Sequence, residues 1–232
     1  MLVSRFPYQK LTRKTIDGQR LYSCPDGSKL PSVTTILAAT KSKESKAALS
    51  NWKNRVGHAK AANITLEAGS RGTRMHSFIE NYMHNDFIGE SGTNPFSIES
   101  HKMAAHIIKN GLKDVTEFYA SEASLYYAQL YAGATDTVFL ENGQIVLGDF
   151  KQSNRVKLDD WVTDYKIQIS AYIEAHNHQF GTSIAKGKIM MCTPKLEYQE
   201  WILEGVELEK YKELWWKKLE QYYMKKFGVG DE

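Results

Sequence analysis

The sequence predicts an α/β (α+β) fold: a central mixed sheet with helices on both faces and a three-strand meander at its middle. Three observations predict it. Asn142-Gly143 stands between two apolar, β-like runs, 137–140 and 145–147. Asn-Gly in that setting is the strongest short-range signal for a two-residue type I′ hairpin, because both central residues need positive φ. Long segments elsewhere, 98–119, 159–178 and 206–227, repeat apolar residues at helical spacing. The order is helices, three strands, a helix, two strands and a helix, and the helix after the meander returns the chain for a mixed sheet.

Each element has its own signal. Asp17-Gly18, between 11–16 and 21–22, reads as a hairpin, and Pro25-Asp26-Gly27 as a second turn. Ser32 after Pro31 starts a helix carrying Val33, Ile36 and Leu37. The polar stretch 41–46 is a loop or the start of a helix, and 47–66 is a helix with Leu49, Trp52 and Val56 on one face. From Lys41 to Lys60 there are six Lys/Arg against one Glu, with Trp52 among them. Such a face permits phosphate contact and base stacking, although core packing is the commoner use of a tryptophan. Gly69 to Thr73 breaks this helix and caps the next, which carries His76 and Glu80 four residues apart on one face. Taken alone, His76 beside Ile79 and Met83 reads as a satisfied core histidine. A surface loop is expected over 85–97, a helix over 98–119 with Met103, Ile107, Leu112, Val115 and Phe118 inward, and a strand over 121–130. The helix 159–178 turns Trp161, Tyr165, Ile169, Tyr172 and Ile173 inward, with Gln168 in that sector. A buried glutamine is costly unless its amide is used. Strands at 188–192 and 199–203 and an amphipathic helix over 206–227 complete the chain.

Composition bounds the rest. A chain of 232 residues suits one domain over 1–232, with the N-terminal hairpin and helices in 1–70, a core in 71–205 and the C-terminal amphipathic helix in 206–228. Hydrophobic residues at 42% and charged residues at 25% are ordinary for a water-soluble protein. A net charge of +3 does not by itself argue for nucleic acid. Two cysteines, Cys24 and Cys192, without a CxxC exclude a zinc ribbon, a four-cysteine iron–sulfur cluster and a disulfide framework, and fit a reducing cytosol. No apolar run approaches the ~18 residues of a membrane span, so no membrane partner is expected. Residues 1–16 hold Arg5, Lys10, Arg13 and Lys14 and no acid, a transit-like composition that the hairpin reading makes structural instead.

The meander concentrates the chemistry. With Asn142-Gly143 as the loop, Glu141 pairs with Gln144 and Asp136 falls opposite Asp149 as a non-hydrogen-bonded pair, Cα atoms about 4.5 Å apart. Lys151, two residues along, shares that face. Facing carboxylates repel. Either a divalent cation with oxygen ligands or Lys151 lying between the acids on a surface hairpin would compensate, and the hairpin alone leaves both open.

Four motifs, in order and each on its expected element, resemble a known family: Gly72-Thr73-x-x-His76-x-x-x-Glu80, Gly133-x-x-Asp136, Gly148-Asp149-x-Lys151 and Gln168-x-x-x-Tyr172. Together they resemble the RecB-type branch of the PD-(D/E)XK nucleases, and within it the mitochondrial genome maintenance exonucleases and their phage-encoded relatives. The likeness extends over roughly residues 20–205, including 30–37 and the Trp52/Arg55 helix. It implies an αβββαβ core. It implies that His76, Asp136 and Asp149, with the carbonyl of Phe150, are metal ligands, and that Lys151 positions or activates the attacking water. Gln168 would orient water, lysine or phosphate, Tyr172 would pack against that group or touch DNA, and Ser153 would meet a substrate phosphate. Gly72, Thr73 and Glu80 are motif residues holding the His76 helix, and Glu122 is expected to pair with a neighbouring base, outside the site. Oxygen-rich ligation suits Mg²⁺, and one imidazole adds tolerance for Mn²⁺; no iron–sulfur cluster is expected.

The resulting expectation is a Mg²⁺-dependent deoxyribonuclease, an exonuclease acting on DNA with free ends and preferring single strands, in replication, recombination or degradation. Trp52, Lys53 and Arg55 would grip the strand. The expected compartment is a bacterial or phage-infected host cytoplasm rather than the mitochondrial matrix. The same metal site would serve a structure-specific endonuclease, and a dead nuclease fold would make a DNA-binding recombination accessory protein; dead versions lose a carboxylate or the lysine, and none is lost here.

Overall fold

In the computed structural model, which describes residues 2–16 and 18–228, the chain opens with a small antiparallel sheet of β1 (Thr12–Ile16), β2 (Gln19–Ser23) and β3 (Lys29–Pro31). Ile16 pairs with Gln19; Asp17 of the expected Asp17-Gly18 turn lies outside the described residues. The Pro25-Asp26-Gly27 turn is present, with Gly27 at a φ of 82° and Ser28 N–H donating to Asp26 Oδ1 at 3.0 Å. Ser32 caps α1 (Val33–Ala39), accepting from Thr35 N–H at 3.0 Å.

The next helices break elsewhere than expected. α2 (Lys43–Val56) starts on Ser42 and ends at Gly57, whose φ of 86° suits a residue without Cβ. α3 (His58–Asn85) then runs through 69–73 without a break. A glycine inside a helix costs only about 1 kcal/mol relative to alanine, and tertiary contacts outweigh that here. A Cβ on Gly72 would stand 3.3 Å from Gln152 Cγ, so the glycine lets α3 lie close on the sheet. Arg71 Nε donates to Gln152 Oε1 at 3.0 Å and Gln152 Nε2 donates to Ala68 O at 3.0 Å. α2 buries no residue; Leu49 is exposed and Trp52 and Val56 are half-buried, so the expected inward face of α2 is not a core face.

α4 (Pro95–Gly111) begins within the expected loop, capped by Asn94, and ends earlier than expected. Val115 and Phe118, read as helical, belong instead to β4 (Val115–Tyr127), where they pair with Glu141 and Phe139. Their β-branched and aromatic side chains favour the pleated surface that those partners offer. β5 (Tyr131–Glu141) and β6 (Gln144–Gln152) complete the antiparallel meander. A 3₁₀ turn (Asp159–Val162) and α5 (Thr163–Phe180) cross over to β7 (Lys186–Cys192), which lies parallel to β6. β8 (Tyr198–Glu204) pairs antiparallel with β7, and α6 (Gly205–Phe227) ends the fold. The sheet order β4-β5-β6-β7-β8 is the mixed sheet that was expected.

Both faces of the sheet are covered. Met75, Ile79 and Met83 of α3 and Met103 and Ile107 of α4 pack on Phe118, Phe139, Phe150 and Met190. On the other face α1, α5 and α6 pack on Val138, Leu147 and Ile189, with Trp215 and Tyr222 of α6 in the same cluster. Each such side chain, fully buried, stabilises by roughly 1.5–3 kcal/mol. Trp161 does not join this core: it is 48% exposed. It sits on the 3₁₀ turn, ahead of the α-helical period that buries Ile169 and Ile173, with Arg155 and Lys157 over its ring at 4.9 and 6.0 Å.

Candidate active site

The hairpin adopts the expected loop: Asn142 and Gly143 have φ of 50° and 76°. The register runs from Glu141↔Gln144 to Thr137↔Gly148, as the type I′ loop requires. There the ladder stops, and the facing Asp136/Asp149 rung of the predicted register is not a paired rung. The Phe150 N–H, which a regular ladder would give to a backbone carbonyl of β5, goes to Asp136 Oδ2 at 2.6 Å. The carboxylate thus sits in the opening between two diverging strands.

Side chains from both faces of the sheet meet at that opening. From α3, His76 Nε2 lies 3.0 Å from the Phe150 carbonyl and His76 Nδ1 lies 3.6 Å from Asp136 Oδ1. The imidazole thus stands between the Phe150 carbonyl and the Asp136 carboxylate, with one ring nitrogen near each. Across the opening, Lys151 Nζ is 2.5 Å from Asp149 Oδ2, and the Asp149 side chain is only 2% exposed. That contact is an ion pair without an aligned hydrogen bond to Oδ2 among the described residues. Burial works against the Lys151 charge, yet Asp149 and Asp136 hold its pKa above the ordinary lysine value. Burial raises the Asp136 carboxyl, against the pull of His76 and with the help of Asp149.

α5 supplies the second side. Gln168 Nε2 donates to the Tyr172 hydroxyl at 3.0 Å, so the amide of this half-buried glutamine is used. Tyr172 is buried against Gly133, where a Cβ would come 2.4 Å from Tyr172 Cε1. Tyr165, two turns earlier, has its ring centroid 5.1 Å from Lys151 Nζ. Gly148 is required by packing as well, since a Cβ there would meet Thr137 Cγ2 at 2.6 Å. Past the lysine, Ser153 is buried, and its hydroxyl accepts from Arg155 N–H at 3.4 Å.

Other expected residues are placed differently. Thr73 is exposed, with its hydroxyl donating back to Gly69 O. Lys53 and Arg55 are exposed on α2 and Trp52 is half-buried there, on a helix that packs against α3. Glu122 is placed otherwise than expected: among the described residues it forms no ion pair with a neighbouring base, and its carboxylate lies beside His76 and Asp136. The β4–β5 register, Ser121↔Thr137 and Ala123↔Thr135, sets Glu122 across from Asp136. One ligand atom each from His76, Glu122 and Asp136 lie within 4.8 Å of one another. Partial desolvation and then Asp136 raise the Glu122 carboxyl, and partial desolvation and then Glu122 raise that of Glu80. The loop 128–130 between the strands, Ala-Gln-Leu with Gln129 at a φ of 64°, carries no Gly or Asn to announce this register. Arg71 was missed too; it is buried and bonds Gln152 and Asn154 at the end of β6.

The donor set fits a hard divalent ion. In an octahedron with bonds of about 2.1 Å, neighbouring ligands stand roughly 3 Å apart and opposite ones roughly 4.2 Å; the three donors all lie within 4.8 Å of one another. Carboxylates with one imidazole suit Mg²⁺ or Mn²⁺ rather than a soft metal.

No family model matches the chain. It is similar to mitochondrial genome maintenance exonuclease 1 of Homo sapiens, 29% identical over 156 residues, covering 64% of this chain and 44% of that protein. The chain therefore spans less than half the length of this relative. The resemblance to the PD-(D/E)XK nucleases read from the four motifs agrees with this match. Among solved structures, a candidate exonuclease from Eubacterium rectale aligns with a TM-score of 0.45 at 14% identity, over 69% of each chain. An alkaline exonuclease from Laribacter hongkongensis aligns at 0.27 and 13% identity, over 71% of this chain and 98% of that one. Among the described residues no helix is long and apolar enough to cross a membrane.

Proposed function

We propose that this chain is a divalent-metal-dependent deoxyribonuclease that hydrolyses phosphodiester bonds from free DNA ends, with single strands preferred and Mg²⁺ as the working ion. The observation that carries the reading is the meeting of His76, Asp136, Asp149 and Lys151 where the β5–β6 ladder ends. The similarity to an exonuclease supports the exonucleolytic part and the choice of DNA. We read residues 1–232 as one nuclease unit.

His76, Asp136 and Asp149, with the Phe150 carbonyl, would hold the ion. When bound, it supplies Lewis acidity toward the phosphate and a nucleophile at neutral pH. The chain's own groups do the rest. Lys151 carries its positive charge into the site and, held by Asp149, positions or activates the attacking water. Gln168, fixed through Tyr172 on Gly133, orients the water or a phosphate oxygen. The exposed cations of α2, Lys53 and Arg55, with Trp52, grip the strand by phosphate contact and stacking. Ser153 meets a substrate phosphate only if its loop turns the hydroxyl outward.

End-labelled linear single-stranded, linear duplex and circular single-stranded DNA, incubated with Mg²⁺ with and without chelator, test the reading. The expected result is chelator-sensitive loss of the linear single strand with circles intact. Cleaved circles would replace the exonuclease with an endonuclease. Degradation unchanged by Asp149→Ala and Lys151→Ala would remove the site.

A further inference from the structure

The geometry points to Glu122 as a further direct ligand of the divalent ion, beside His76, Asp136 and Asp149. Three observations lead there. The donors of Glu122, His76 and Asp136 lie within 4.8 Å of one another, and strand register sets Glu122 across from Asp136. His76 already stands between two of the expected ligands, 3.0 Å from the Phe150 carbonyl and 3.6 Å from Asp136 Oδ1. The charges are also unevenly answered. Asp149 has Lys151 at 2.5 Å, but among the described residues Glu122 and Glu80 have no ion-pair partner and Asp136 has only His76. Carboxylates held this near each other repel, and a divalent cation on the His76–Glu122 side would answer the surplus that Lys151 leaves.

The backbone at Glu122 adds to this. Within β4, flanked by in-register pairs on both sides, Glu122 has a φ of 52°, the left-handed region that side-chain-bearing residues rarely adopt. Such strain persists where the surroundings impose it and gathers at ligand clamps. A glycine would fit that backbone without strain, yet the chain carries a glutamate whose carboxylate reaches the cluster. The inference rests on the metal-site part of the nuclease reading and not on which nucleic acid is cut.

Mn²⁺ binding to the full chain, stripped by chelator and free of DNA, tests it by isothermal titration. Wild type should bind, and Asp136→Asn should lose binding. Glu122→Gln, which keeps the shape and removes the charge, should weaken Mn²⁺ at least tenfold. A direct ligand is then separated from a merely neighbouring charge by Glu122→Cys with Cd²⁺. The substituted thiolate should give a sulfur-to-cadmium charge-transfer band that is absent in Glu122→Ser and in wild type, whose two cysteines are both buried. Glu122→Gly in chelator reports on the strain and should melt higher than wild type while gaining less from Mn²⁺. Wild-type Mn²⁺ affinity in Glu122→Gln, or no charge-transfer band in a folded Glu122→Cys, would overturn the inference while leaving the nuclease reading intact. No Mn²⁺ binding by wild type, or none lost in Asp136→Asn, would sink the metal site itself.

Discussion

Gly133→Ala inverts the usual effect of adding a methyl group to a strand. Gly133 lies on β5 with a φ outside the left-handed region, so alanine would ordinarily stabilise by about 0.5–1 kcal/mol. Here the new Cβ would stand 2.4 Å from Tyr172 Cε1, with two more ring atoms at 3.2 and 3.3 Å. Carbon atoms rest about 3.5–4.0 Å apart, so the ring must retreat by roughly an ångström. It has little room: Tyr172 is 3% exposed and its hydroxyl is tied to Gln168. Overpacking of this kind costs about 1–3 kcal/mol, which lowers Tm by roughly 2–4 °C per kcal/mol for a chain of this size. Urea unfolding of Gly133→Ala, Tyr172→Leu and the double variant measures it. Leucine removes the ring atoms that clash, so the double variant should recover at least about 1 kcal/mol relative to additivity. If Gly133→Ala is neutral or stabilising, or if the two changes add, the close approach of β5 to α5 is not what places Gln168.

Three further outcomes are expected. His176 is fully buried between the Tyr8 hydroxyl and Thr182 Oγ1, each at 2.8 Å, and burial pushes its pKa down from 6.5 to about 4. The folded state keeps it neutral while the unfolded chain protonates, so its stabilising contribution is complete above pH 6.5 and lost as pH falls toward 4. Between pH 7 and 5 wild type should lose about 2 kcal/mol more than His176→Gln in urea unfolding; equal losses would place the pH dependence elsewhere. Gln152→Ala removes the acceptor of Arg71 Nε and the donor to Ala68 O, and should cost about 2 kcal/mol by the same measurement. Lys53→Ala and Arg55→Ala should each reduce the slope of log affinity for single-stranded DNA against log salt by about 0.7 in fluorescence anisotropy, and an unchanged slope would take α2 out of the DNA path.

Sequence by itself determined whatever depends on residues close together in the chain. Asn142-Gly143 dictated a loop with two positive φ values, and that loop dictated the register as far as Thr137↔Gly148. Alternation then carried Asp136, Asp149 and Lys151 to one end of the hairpin, and helical spacing placed Gln168 and Tyr172 on one face of α5. Tertiary structure decided what depends on contacts far apart in the chain. The glycines at 69 and 72 look like a break, but Gln152 of the opposite element ties α3 through them. Trp161 looks like a core residue, but the 3₁₀ turn holds it out between two cations. The pairing of Asp136 with Asp149 could not be carried one rung further, because the Asp136 side chain takes the Phe150 N–H and parts the strands. Glu122 was hidden for another reason: a plain Ala-Gln-Leu loop gives no local sign of the β4–β5 register that sets it across from Asp136. Local conformation is written in neighbouring φ preferences and spacing, whereas the opening where His76, Glu122 and Asp136 meet exists only once both faces of the sheet are packed.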